Sequence, residues 1–154
     1  MDNKTKTYQL LAKQVESLIQ GEDNTTGQLA NAAALIHETM GCWWTGFYLV
    51  NGDTLQLGPF QGPVACYSIK RGRGVCGTAW QQDRTIVVPD VEQFPGHIAC
   101  SSLSRSEIVV PLHDTNGNVV AVLDIDSKQL AAFDQQDATG LEAIARIIEQ
   151  QVKL

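Results

Sequence analysis

No stretch of this chain approaches the roughly 20 consecutive apolar residues that cross a bilayer. The opening MDNKTKTYQLLAKQ lacks the charged-then-apolar arrangement of a secretory signal. Both absences lead us to expect no membrane partner and a reducing compartment, the cytoplasm. Basic residues are scarce: Lys and Arg total 11 against 17 Asp and Glu, for a formal net charge of -6. The one basic run, Lys70-Arg71-Gly72-Arg73, is short, so nucleic acid, which demands a concentrated basic face, is set aside. No repeat, low-complexity tract or linker interrupts the 154 residues. One domain over 1–154 is expected, large enough to bury a core without disulfide support.

Cysteine is sparse, four in all, and no CxxC pair or zinc-ribbon spacing occurs. Cys66 and Cys76 are ten apart, and Cys76 and Cys100 twenty-four. A zinc site made of these three and His97 would lack the close ligand pairs that structural zinc takes, so no metal is expected. Three thiols lie in one irregular segment, Gly62 to Glu107, broken by Gly, Pro and Ser. In a protein expected to sit in a reducing compartment, that pattern suits redox or metal chemistry better than structural bridges. We read the segment as an active-site loop. Cys100, in HIACSSLSRSE, sits beside hydroxyls and Arg105, where a thiolate would be stabilised. Cys76, in GVCGT, falls near a helix start, another place that lowers a thiol pKa. Cys66 reads as part of a strand beside the loop, and Cys42 as a small buried residue.

Periodicity supplies the frame. Leu10, Leu11, Val15, Leu18 and Ile19 space a helix over Lys4 to Gln20, and Asn24 to Gly41 a second, its His37 and Glu38 read as solvated. Trp43 to Val50, Thr54 to Leu57 and Val64 to Ile69 read as strands, with Asn51-Gly52 as a hairpin turn. A short helix over Gly74 to Gln82, a strand over Thr85 to Val88 and a loop over Asp90 to Ser106 follow. Strands Glu107 to His113 and Val119 to Asp126 flank a turn, and a helix from about Asp134 closes the chain. The pattern predicts an α+β layered domain with a mainly antiparallel sheet flanked by helices.

The last hairpin carries a geometric argument. A two-residue turn at Asn116-Gly117 pairs Glu107 with Asp126, and a four-residue turn pairs it with Asp124. Either register puts Glu107, Asp124 and Asp126 on one face, because strand side chains alternate; a turn of odd length breaks the inference. Three neighbouring carboxylates repel. Partly buried, at least one would keep its proton near neutral pH and serve as an acid, or the cluster would meet a cation. The plainer alternative is a solvated face. Trp44 and Tyr48 share one face of their strand, and Trp43 and Phe47 the other. One pair belongs to the core and the other can line a pocket, and the pattern does not choose between them.

WWTGFYLV, GPFQGPVAC, GRGVCGTAW, VVPDVEQFPGHIACSS, SEIVVPL, GNVVAVLDIDS and FDQQDATGLEAIA together resemble the free methionine-(R)-sulfoxide reductases, single GAF-domain enzymes. The resemblance runs from about Tyr8 to Gln151 and includes the cysteine spacing. It implies Cys100 as the attacking cysteine, Cys66 as its disulfide partner and Cys76 as a third thiol of less settled role. It implies Trp44 and Tyr48 around the substrate's methyl and sulfoxide, with Glu107, Asp124 and Asp126 holding the sulfoxide oxygen and gripping the ammonium. The implied partners are free methionine-(R)-sulfoxide and thioredoxin, with NADPH behind it as external reductant and no bound cofactor; such proteins are often homodimers. Gly41-Cys42-Trp43-Trp44 also resembles the GCFW motif of the unrelated (S)-specific reductases. Nothing else of that family is present, so Cys42 is left out of the site. The alternative reading is a small-molecule-sensing GAF module without catalysis, which would not need three thiols.

Overall fold

The computed structural model describes residues 2–97 and 103–154. Four helices, α1 (Asn3–Ile19), α2 (Thr25–Met40), α3 (Gly74–Gln82) and α4 (Gln135–Gln151), accompany six strands. These are β1 (Trp44–Asn51), β2 (Thr54–Gln61), β3 (Ser68–Lys70), β4 (Ile86–Val88), β5 (Ser106–His113) and β6 (Val119–Ser127). One antiparallel sheet takes them in the order β3-β2-β1-β6-β5-β4. No helix among the described residues is long and apolar enough to cross a membrane.

Local chemistry sets the helix ends. Asp2 accepts from the Thr5 amide and Asn24 from the Gly27 amide, satisfying donors that a first turn leaves open. α2 stops at Gly41, whose φ of 63° suits a residue without Cβ. Asp134 and Asp137 form a reciprocal capping box at the start of α4. Asp137 is then shared: it accepts from Tyr8 Oη at 2.6 Å and from Lys4 Nζ at 2.6 Å, pinning α1 to α4.

The sheet divides the interior. On one face α1, α2 and α4 pack Leu11, Ile36 and Leu141 against Phe47, Val110 and Leu123. On the other, α3 packs Val75, Ala79 and Trp80 near Trp44, Tyr48, Val109 and Val122. Alternation assigns successive residues of one strand to the two cores.

Four expectations change. Residues 64 to 67 are not strand, and only Ser68–Lys70 pairs with β2, which itself runs on to Gln61. Cys66 therefore sits in a loop. His37 is half-buried rather than solvated, its Nδ1 2.9 Å from Thr45 Oγ1, and burial lowers its pKa. Trp43 precedes β1 and packs on the α3 side, away from Phe47. The last hairpin closes through residues 114 to 118, an odd loop that alone would turn the carboxylates apart. A register shift between Leu112 and His113 restores the parity, so Glu107 pairs with Asp126 after all.

Candidate active site

Three adjacent strands build the floor. Trp44 of β1 lies opposite Asp126 of β6, which lies opposite Glu107 of β5; one step along, Gly46 faces Asp124, which faces Val109. Glu107, Asp124 and Asp126 thus share a face, and α3 carries Cys76 over them. The Cys76, Glu107 and Asp124 ligating atoms all lie within 4.8 Å of one another. Glu107 and Asp124 are each only 6% exposed, which excludes the solvated-face alternative.

Such crowding is resolved by protons. Burial, then the charges of Asp124 and Asp126, hold the Glu107 carboxyl well above its ordinary range. Burial and Asp124 do the same to Asp126, although it accepts from Ser104 Oγ at 3.1 Å. Asp124 is raised by burial, but hydrogen bonds from Glu107, Cys76 and Asp126 oppose the rise. The negative charge therefore concentrates on Asp124, with protonated neighbours donating to it. Cys76 departs from the sequence expectation: burial and the charges of Asp124 and Glu107 push its thiol up, overriding the start of α3. It is a free thiol.

The aromatic wall also holds the cysteine loop. Trp44 stacks with Phe60 at 5.2 Å between centroids and with Tyr48 at 5.9 Å. Trp44 Nε1 donates to the Pro63 carbonyl at 3.0 Å and Tyr48 Oη to the Cys66 carbonyl at 3.0 Å. Gly46 must be glycine here, since a Cβ would come within 2.4 Å of Phe60 Cβ and 2.6 Å of Trp44 Cη2. Of the two aromatic pairs that alternation left open, Trp44 and Tyr48 line the cavity, while Phe47 is in the helical core.

Trp44, Tyr48, Cys76, His97, Ser104 and the three carboxylates enclose a narrow cavity of about 50 Å³. That is room for one or two waters. Cys66 is disulfide-bonded in this structure. Cys100 lies outside the described residues. A larger cavity, about 570 Å³, opens between α1 and the end of α2, and Cys42 lines it. Burial pushes that thiol up to about 11, in keeping with an unreactive residue.

The profile of the GAF domain matches residues 25–152. GAF domain-containing protein A of Dictyostelium discoideum is 52% identical, covering 96% of this chain and 93% of that protein. The free methionine-R-sulfoxide reductase of Escherichia coli is 44% identical, with 96% of this chain and 90% of that protein covered. The structure of the Neisseria meningitidis free methionine-R-sulfoxide reductase in complex with its substrate superposes with a TM-score of 0.94. It is 50% identical, and the match covers 98% of this chain and 91% of that one.

The chain belongs to the free methionine-R-sulfoxide reductase family.

Within this family frame, the structure brings together Trp44, Tyr48, Cys76, Glu107, Asp124 and Asp126, all of them named from the sequence. It adds Ser104, Gly46 and Phe60, and it places His97 at the cavity. Gly46 left a signal, an isolated glycine inside a strand, which marks a close approach. Ser104 left none.

Proposed function

We propose that the chain reduces free L-methionine-(R)-sulfoxide to methionine. The carrying observation is the buried set of Glu107, Asp124 and Asp126 held partly protonated beneath an aromatic wall beside Cys66. Sulfoxide reduction needs an acid there, because the oxygen leaving sulfur must gain a proton. Cys100, as thiolate, attacks the sulfoxide sulfur while the carboxyl cluster protonates its oxygen; the hydroxyl then passes from the substrate sulfur to the cysteine sulfur as the new S–S bond breaks, leaving methionine and a cysteine sulfenic acid. The Cys66 thiol displaces water from that sulfenic acid, forming the disulfide, and a dithiol reductant of the thioredoxin type reopens it by exchange. Cys76, buried and free, stands by as the third thiol. This cycle requires a reducing compartment such as the cytoplasm.

The narrow cavity accompanies the disulfide-bonded Cys66, so reduction comes before substrate entry in this scheme. Trp44 and Tyr48 then meet the substrate's methyl group and polarised sulfur, while the carboxylates meet its ammonium. The deciding assay follows NADPH in a thioredoxin–thioredoxin reductase couple, offering free methionine-(R)-sulfoxide, its (S) epimer and a peptide-bound (R)-sulfoxide. Turnover of the free (R) form alone is expected. Failure of all three with reduced thiols would move the reading to a ligand-sensing GAF module. Cys100→Ser should abolish even the first turnover, whereas Cys66→Ser should release one methionine per chain and then stall. Unimpaired thioredoxin-dependent cycling of Cys66→Ser would transfer the resolving role to Cys76.

A further inference from the structure

Among the described residues, two buried side-chain polar atoms have no hydrogen-bond partner: Asp124 Oδ1 and His97 Nδ1. Both residues line the same cavity. An unmatched buried polar atom costs about 1–3 kcal/mol, so two at one site mark where a ligand's polar groups are received. Burial lowers the imidazole pKa and the charge of Asp124 opposes that, so the two groups lie within electrostatic reach of each other and the ring is held neutral, with one N–H to donate. Among the described residues no Lys or Arg lines it, and His97 offers a ring nitrogen that can donate to an anion.

Resting on the reductase reading, we infer that His97 receives the substrate's α-carboxylate through Nδ1–H while Asp124 Oδ1 receives the adjoining α-ammonium. An amino acid carries those two groups on a single carbon, and the two unmatched atoms suit them, a ring N–H that donates to the carboxylate and a carboxylate oxygen that accepts from the ammonium. The first turn of α3 strengthens the field for an anion: Gly74 and Val75 line the same cavity, and Arg73 offers no side-chain cap. Peptide bonds remove both the free ammonium and the free carboxylate from an internal methionine sulfoxide, so this pair of contacts selects the free amino acid.

The test separates the carboxylate contact from a general effect on the fold. Reduced Cys100→Ser protein, which does not turn over, is titrated calorimetrically with methionine-(R)-sulfoxide and with its α-carboxamide. The free acid should bind about 10- to 100-fold more tightly, the worth of a hydrogen bond to a charged group. Adding His97→Ala should erase that preference by weakening the acid alone, and His97→Gln, a neutral donor, should restore part of it. In the chain with Cys100 intact, the loss should fall on KM and leave kcat nearly unchanged. Equal weakening of both ligands by His97→Ala, or no preference for the acid before substitution, overturns the inference while leaving the reductase reading in place. Absence of binding and turnover altogether overturns both.

Discussion

Glu107 holds the conflict of the site in one side chain. Buried and paired across the sheet with Asp126, it keeps its proton well above the ordinary carboxyl range because of burial and the neighbouring charges. A carboxyl whose pKa is raised on folding binds its proton more tightly in the folded chain. Stability is therefore highest below the unfolded pKa and falls as pH rises through the folded value. Glu107→Gln removes that term while keeping the shape. At about pH 8 its thermal midpoint should exceed that of the unsubstituted chain by a few degrees, about 1 kcal/mol corresponding to about 2–4 °C at this size. The gap should close at about pH 4, and turnover should fall by about 10²- to 10⁴-fold. A midpoint at about pH 8 no higher than that of the unsubstituted chain would show that the cluster is not strained. Residues of this kind were legible in part: Asp124 and Asp126 share a face by alternation, whereas Glu107 joins them only because the register shift between Leu112 and His113 offsets the odd loop. The state of Cys76 was not legible, since its pKa depends on acids from β5 and β6 that its own stretch does not contain.

Single elements show where local pattern suffices and where tertiary contacts override it. The helices read correctly from their caps and apolar stripes. The extended reading of residues 64 to 67 failed because side chains take the carbonyls on either side of its start, Trp44 Nε1 that of Pro63 and Tyr48 Oη that of Cys66, and the chain meets β2 only from the Tyr67 carbonyl, which accepts from the Leu57 amide at 2.9 Å. The turn of the last hairpin was misjudged in length, and the shift at Leu112 and His113 compensated. His113, at the end of β5, locks three elements: Nδ1 lies 2.7 Å from Glu149 Oε2 on α4, and Nε2 lies 2.5 Å from Asp83 Oδ1 just past α3. Arg146 Nε also meets Glu149, at 2.7 Å. Burial alone would lower the imidazole pKa, but Asp83 and Glu149 outweigh it and raise it. A raised histidine contributes stability that is complete below its unfolded pKa and lost as pH rises through the folded value. Urea unfolding should therefore show His113→Gln weaker than the unsubstituted chain by about 1 kcal/mol at about pH 6, with the difference shrinking toward about pH 9. A difference independent of pH would assign the loss to packing instead of charge.

At the scale of the molecule, one sheet separates a face that holds the fold together from a face that holds strained chemistry. The helical face buries Leu11, Ile36, Phe47, Leu123 and Leu141 with essentially no exposure and no charge among them. The α3 face keeps acids, a thiol and two unmatched polar atoms out of water. This division was visible in outline, since amphipathic helices demand an apolar sheet face, but alternation did not say which aromatic pair belonged to which side; the family resemblance pointed to Trp44 and Tyr48 for the cavity, where the packed structure has them. Neighbours on β6 then make opposite demands. Leu123 points into the helical core, and Asp124 points into the cavity. Leu123→Ala should cost about 2–5 kcal/mol of stability through lost burial and the void left behind, with activity per folded molecule largely kept. Asp124→Asn should leave unfolding in urea nearly unchanged or shifted upward, while the rate drops by about 10²- to 10⁴-fold. Paired measurements of unfolding midpoint and single-turnover rate on the two variants decide the matter. If Leu123→Ala lost rate in proportion to Asp124→Asn while still folded, the two faces would be mechanically coupled, and the sheet would not insulate the site from its core.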